Sequence, residues 1–168
     1  DLRLRSDFWK NPAIMVSTGL GSGFFPKAPG TFASFLTLIL WWLLLSEFDY
    51  FLKWGIVLVV GITGFWSIAM VAKYEAGDAS EITIDEVLGQ LVALQIAPNV
   101  AWTFVITFAL FRLFDIWKPG IVGYVDTRFK NPAGVLGDDL FAGILAGLVA
   151  YLIYWLWMQI ASLEIVPF

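Results

Sequence analysis

The chain has 168 residues, 60% of them hydrophobic, 17% aromatic and 14% charged, with a mean hydropathy of +0.80 and a formal net charge of −4. That is too apolar and too charge-poor for an ordinary soluble domain and points to a membrane protein. The absence of cysteine excludes disulfides and thiolate metal sites, the absence of histidine excludes imidazole zinc sites and Ser-His triads, and the acidic balance argues against a nucleic-acid partner.

In chain order, the start D-L-R-L-R-S-D-F-W-K is of mixed polarity and does not read as a cleavable signal peptide. The apolar piece Pro12–Leu20 is too short to span a bilayer and ends among glycines, so it is expected to lie at the interface. It runs into G-L-G-S-G-F-F-P-K-A-P-G-T-F, Gly19 to Phe32, which contains Lys27 and places Thr31 to cap a helix after Pro29 and Gly30. Free backbone N–H groups at a helix start make an anion site; the plainer alternative is a flexible interfacial loop.

Apolar runs approaching the roughly 20 residues that cross about 30 Å of hydrocarbon then occur at Thr31–Leu45, Leu52–Val71, Asp85–Ala97, Val100–Trp117 and Leu140–Leu163. The third is short and carries Gln90 and Gln95, which suits a tilted helix buried in a bundle or a partial insertion. The expected fold class is therefore all-α: a polytopic helical membrane bundle of about five transmembrane helices with an N-terminal interfacial segment. No internal repeat or soluble second domain is visible.

With five alternating crossings, the N-terminal segment and the loops Ala72–Ile84 and Lys118–Asp139 share one side. Of the ten Lys and Arg, all but Lys53 fall on that side: Arg3, Arg5, Lys10, Lys27, Lys73, Arg112, Lys118, Arg128 and Lys130. The positive-inside rule makes it the cytoplasm. The acids follow: Asp85 and Glu86 open the third run, Arg112 and Asp115 close the fourth, Asp138 and Asp139 open the fifth, and Asp126 lies in the loop between.

Carboxylates gathered without histidine or cysteine suit a hard divalent cation, Mg²⁺ before Ca²⁺ or Mn²⁺. Acids at helix N-termini also complement the macrodipole for about 0.3–1 kcal/mol, which accounts equally well for Asp85, Glu86, Asp138 and Asp139 but not for Asp115 near a C-terminus. Arg112, Asp115 and Lys118 recur at i, i+3 and i+6 on one broad helical face, either as an ion-pair stripe or as a phosphate clamp beside a metal carboxylate. Asp139, Gly143 and Gly147 are spaced by four, so Asp139 lies on a small-residue stripe that another helix can approach closely.

These residues carry a resemblance. The blocks G-L-G-S-G-F-F-P-K-A-P-G-T (Gly19–Thr31), I-D-E-V-L-G (Ile84–Gly89), F-R-L-F-D-I-W-K-P (Phe111–Pro119) and G-V-L-G-D-D-L-F-A-G (Gly134–Gly143) resemble, in order, those of the phosphatidylglycerophosphatase A family, bacterial inner-membrane lipid phosphatases that depend on Mg²⁺. The resemblance implies a single integral-membrane phosphatase domain over residues 1–168, hydrolysing phosphatidylglycerophosphate to phosphatidylglycerol and phosphate at the cytoplasmic side. It implies metal and catalytic roles for Asp85, Glu86, Asp115, Asp138 and Asp139, phosphate contacts from Arg112 and Lys118, and a phosphate-side loop of Gly21, Ser22, Gly23, Pro29, Gly30 and Thr31, with Lys27 in the same loop. A small membrane cation transporter and a CDP-alcohol phosphotransferase-like enzyme are the competing expectations. Against the first, the middles of the spans carry no charge; against the second, its longer single-helix motif is absent.

The charge asymmetry makes a topological prediction. Cysteines at Ser80 and Arg128 should be labelled only from the cytoplasmic side and one at Ser46 only from the other; labelling of Ser80 and Arg128 from opposite sides would overturn a shared active-site face.

Overall fold

The computed structural model describes residues 2–72, 80–129 and 131–164, and among them every regular element is a helix. Two short helices lead: α1 (Leu2–Asp7) and α2 (Pro12–Ser17). Pro12 sits at the first position of α2, where no N–H is needed, and the Asn11 side chain accepts from Ala13 N–H at 3.0 Å. Ala13 and Ile14 are buried as α2 docks on a later helix, α4 (Tyr50–Val71). A single 3₁₀ turn over Ser22–Phe24 precedes α3 (Pro29–Leu40). The chain enters α3 through Ala28, whose left-handed backbone (φ 49°) is uncommon for a residue with a Cβ.

α3 continues through one π turn, Trp41–Leu45, closed by Ser46 N–H donating to the Trp41 carbonyl at 2.8 Å. α4 is capped by Asp49, whose carboxylate accepts from Phe51 N–H at 2.9 Å. Next come α5 (Ile84–Ile96), α6 (Ala101–Trp117), α7 (Ile121–Arg128) and α8 (Pro132–Glu164).

α5 is the axis of the bundle. Every residue from Leu88 to Gln95 is buried, and α5 packs against α8 most extensively and against α3, α4 and α6 besides. A helix apolar on all sides belongs inside other helices. The third apolar run is thus a helix enclosed by protein, 13 residues long and so about 20 Å at 1.5 Å per residue. Its contact with α8 is backbone to backbone: a Cβ on Gly143 would strike the Gly89 carbonyl, one on Gly89 would meet the Asp139 carbonyl, and one on Gly147 the Ala93 carbonyl. The spacing-by-four of Asp139, Gly143 and Gly147 is used for this close approach.

Two expectations are corrected. The stretch Lys118–Asp139 is not a loop: it holds α7, with Val122 and Val125 buried, and the first two turns of α8. α8 starts at Pro132, with Asn131 accepting from Gly134 N–H at 3.0 Å, so Asp138 and Asp139 stand two turns inside it and cannot be N-terminal caps. Among the described residues only α4 and the Pro132–Leu163 part of α8 are long and apolar enough to cross a membrane, and Pro29–Leu45 is a shorter apolar run. Lys73 and Lys130 lie outside the described residues.

The exterior of the bundle is far more apolar than that of a soluble domain. Large apolar side chains such as Leu43, Phe51, Leu58, Ile62, Trp155 and Trp157 are exposed, while Ser34, Thr37, Ser67, Gln90, Thr103 and Thr107 are buried. The hydroxyls satisfy themselves on their own helices: Ser34 donates to the Gly30 carbonyl at 2.9 Å, Thr37 to Ala33 at 2.9 Å and Thr107 to Thr103 at 2.6 Å. Ser46 is itself buried, so the neighbouring exposed Glu47 is the better labelling position at that end.

Gly143→Ala is expected to lower stability by about 1–3 kcal/mol, since the added methyl overpacks a backbone contact. Thermal unfolding in detergent measures it, and an unchanged midpoint would show that α5 and α8 separate at little cost.

Candidate active site

The start of α5 is held from below by the glycine-rich turn. Thr83 N–H donates to the Ser17 carbonyl at 2.9 Å, and the Ser22 and Thr83 hydroxyls lie 3.2 Å apart. A Cβ on Gly23 would collide with the Glu81 backbone. Ser22 and Gly23 are buried against this segment, and Gly21 takes a left-handed backbone (φ 93°) that suits glycine. Ser22 and Gly23 buttress the start of α5, and none of the three is among the residues that line the cavity at its end.

That cavity has a volume of about 450 Å³ and is lined by Ala28, Pro29, Gly30, Thr31, Ser80, Ile82, Asp85, Glu86, Arg112 and Val135. Asp85 Oδ1 accepts from Glu86 N–H at 3.1 Å. One carboxylate oxygen from each of Asp85, Glu86 and Asp139 falls within 4.8 Å of the others. Asp115 stands close enough to act on both Glu86 and Asp139. Gly30 lets the chain pass against Glu86, because a Cβ there would meet the Glu86 carboxylate. Arg112 pairs with Asp115 at 2.6 Å, and its Nη1 reaches the Ser34 hydroxyl at 3.4 Å.

Two atoms of this group are buried and lack a protein partner: Glu86 Oε2 and Arg112 Nε. A buried carboxylate oxygen without a donor is costly unless a cation or ligand group meets it. Three converging carboxylates beside a guanidinium therefore fit a hard divalent cation with oxygen ligands, and a phosphoryl group that Arg112 can contact.

The structure separates a second set. Lys118 ends α6 with a left-handed backbone (φ 51°) ahead of Pro119, which turns its side chain off the face of Arg112 and Asp115. Its ammonium lies 2.7 Å from Asp126 and 2.7 Å from Asp138. Partial burial alone would lower its pKa, but the hydrogen bonds and charges of Asp126 and Asp138 outweigh that and hold it above the ordinary lysine value. Asp138 and Lys118 are thus committed to each other and are not among the cavity-lining residues. Lys27 is exposed on a neighbouring groove.

The residues that sequence reasoning overlooked are Ser34, Ser80, Ile82, Thr83 and Val135. Ser34 had a signal, since it follows Gly30 by four on the same face of α3. The others come from segments whose folding back onto α5 leaves no local trace in composition.

The family model of phosphatidylglycerophosphatase A matches residues 15–154, which include every residue of both acidic sets. The chain belongs to the phosphatidylglycerophosphatase A family. Its relatives include a phosphatidylglycerophosphatase A of Haemophilus influenzae, 32% identical over 87% of this chain and 91% of that one, and the Escherichia coli protein of the same name, 31% identical over 85% and 84%. A Bacteroides thetaiotaomicron protein with the provisional name phosphatidylinositol-3-phosphatase is 35% identical over 84% of this chain and 93% of its own. No solved structure matches. This family member is therefore a phosphatase enzyme, and the transporter and phosphotransferase expectations find no support.

Lys118→Met should leave Asp126 and Asp138 apposed without their cation, costing about 1–2 kcal/mol at this partly buried group with KM for substrate unchanged. Chemical denaturation and steady-state kinetics read the two effects separately; a raised KM with intact stability would instead make Lys118 a substrate contact.

Proposed function

We propose that this phosphatase hydrolyses the terminal phosphate of phosphatidylglycerophosphate, releasing phosphatidylglycerol and inorganic phosphate, with Mg²⁺ as cofactor. The observation that carries it is the convergence of Asp85, Glu86 and Asp139 within 4.8 Å of one another, with Asp85 and Glu86 on the wall of the cavity that Arg112 also lines. The family and the names of the Haemophilus and Escherichia relatives supply the substrate.

Asp85 and Asp139 would hold the Mg²⁺, with Asp115 beside them. Bound there, it would polarise the phosphoryl oxygens and neutralise part of their charge. Arg112, anchored by Asp115 and Ser34, holds the equatorial oxygens as charge spreads over them. Glu86, which faces the cavity with an unpartnered oxygen, takes a proton from the attacking water. The water oxygen bonds to phosphorus as the phosphorus–oxygen bond to glycerol breaks, and the leaving alkoxide takes up a proton. Gly30 and Thr31 shape the wall facing Glu86.

The exposed apolar flanks and buried hydroxyls support an integral-membrane protein. We read Pro29–Leu45, α4, α5, α6 and α8 as about five passes through the bacterial inner membrane in a single domain, α5 being shielded from lipid by its neighbours. The positions of the basic residues favour a cytoplasmic face for the acidic cavity. The Bacteroides relative favours a second reading of the headgroup, an inositol lipid with a monoester phosphate.

Purified protein should release phosphate fastest from phosphatidylglycerophosphate, more slowly from phosphatidic acid and phosphatidylinositol 3-phosphate, and not at all with chelator. Asp85→Asn, Asp115→Asn and Asp139→Asn should each lower kcat by roughly 100-fold or more while the protein stays folded, whereas loss of a mere cap would cost about 1 kcal/mol of stability and leave turnover. Fastest release from the inositol lipid would overturn the named substrate; near-normal rates in all three variants would overturn the metal site.

A further inference from the structure

The acidic cavity is not closed on its α3 side. Ala28 and Thr31 belong both to its wall and to a second groove of about 250 Å³, lined by Phe25, Lys27, Phe32, Phe35 and Phe108. This groove runs between α3 and α6. The rings of Phe25 and Phe32 stack at 4.0 Å, and Phe35 meets Phe108 edge-on at 6.2 Å. Phe108 precedes Arg112 by four residues, one helical turn along α6.

Lys27 sits in this otherwise apolar groove. It is exposed, and none of the described carboxylates pairs with it, whereas Arg112 and Lys118 are each held by acids. A lone cation between an aromatic trough and an acidic cavity asks for a ligand with an apolar body and an anionic group at their junction. Resting on the phosphatase function proposed above, the lipid substrate has that form: a phosphodiester next to the acyl-bearing glycerol, and the reactive monoester one glycerol unit further on.

We propose that the groove between α3 and α6 is where the lipid enters, with Lys27 binding the phosphodiester and the aromatic side chains holding the first part of an acyl chain. The terminal phosphate then reaches Arg112 through the shared opening at Ala28 and Thr31. Lys27 becomes the residue by which the enzyme distinguishes a lipid with two phosphates from one with a single phosphate. In phosphatidic acid the only phosphate is the reacting one, so nothing remains for Lys27 to bind once that group lies at Arg112.

The test combines turnover with binding. Lys27→Gln should raise KM for phosphatidylglycerophosphate about tenfold, the loss of one charge-assisted contact, far more than it lowers kcat, and leave KM for phosphatidic acid unchanged. Lys27→Arg should restore the wild-type value. Calorimetric titration with dihexanoyl phosphatidylglycerol, which has only the diester phosphate, should show a similar loss of affinity in Lys27→Gln, and an undiminished affinity in the inactive Asp85→Asn enzyme. Equal affinities of wild type and Lys27→Gln, or an equal rise in KM on both lipids, would overturn the assignment. The titration needs no turnover, so failure of the wild type to release phosphate from any lipid would count against the proposed reaction and not against the groove.

Discussion

The backbone contact between α5 and α8 is the constraint on which the acidic site depends. At Gly89 and Gly143 neither helix has a side chain between it and the other, and a methyl on either would strike the opposing carbonyl. Asp139 lies four residues before Gly143 and Glu86 three before Gly89, so each acid shares a helical face with the glycine that brings the helices together. The repulsion among these carboxylates favours separation of the helices. Close packing of two enclosed helices opposes it, and the enzyme keeps several acids within a few ångströms of one another at the expense of its own stability.

The neighbouring positions Asp138 and Asp139 show how finely the helix sorts its side chains. Consecutive residues on an α-helix point about 100° apart. Asp139 therefore faces α5 and the carboxylates of Asp85 and Glu86, while Asp138 faces Lys118 and the end of α6. A single Asp-Asp pair supplies two separate electrostatic groups. Lys118, bridging Asp126 and Asp138, ties α7 to α6 and α8 and closes the bundle beside the cavity without entering it.

Polar side chains inside the bundle are otherwise mostly self-sufficient. Serine and threonine hydroxyls return to carbonyls one turn back, which makes them compatible with an apolar surround. Gln90 is an exception: both of its polar atoms are buried without a partner, one turn beyond Glu86 on the same helix, and Gln95 Nε2 and Trp41 Nε1 are likewise unpartnered.

The sequence by itself determined the all-helical fold class, the approximate position of each long helix and the family, because hydrophobic run length and the four ordered blocks are local properties. It also determined that Asp139 would face another helix, since a spacing of four among small residues is legible in one dimension. Three things were decided only by the tertiary structure. The start of α8 lies well before its apolar run, because Asn131, Pro132 and Gly134 begin the helix by capping and packing and not by hydrophobicity. Lys118 left the face of Arg112 because its own backbone turns left-handed ahead of Pro119, which helical periodicity cannot anticipate. The packing of the glycine turn at Gly21–Gly23 beneath the start of α5 was not legible either, since its partners Glu81 and Thr83 lie some sixty residues away in the chain and only folding brings them into contact.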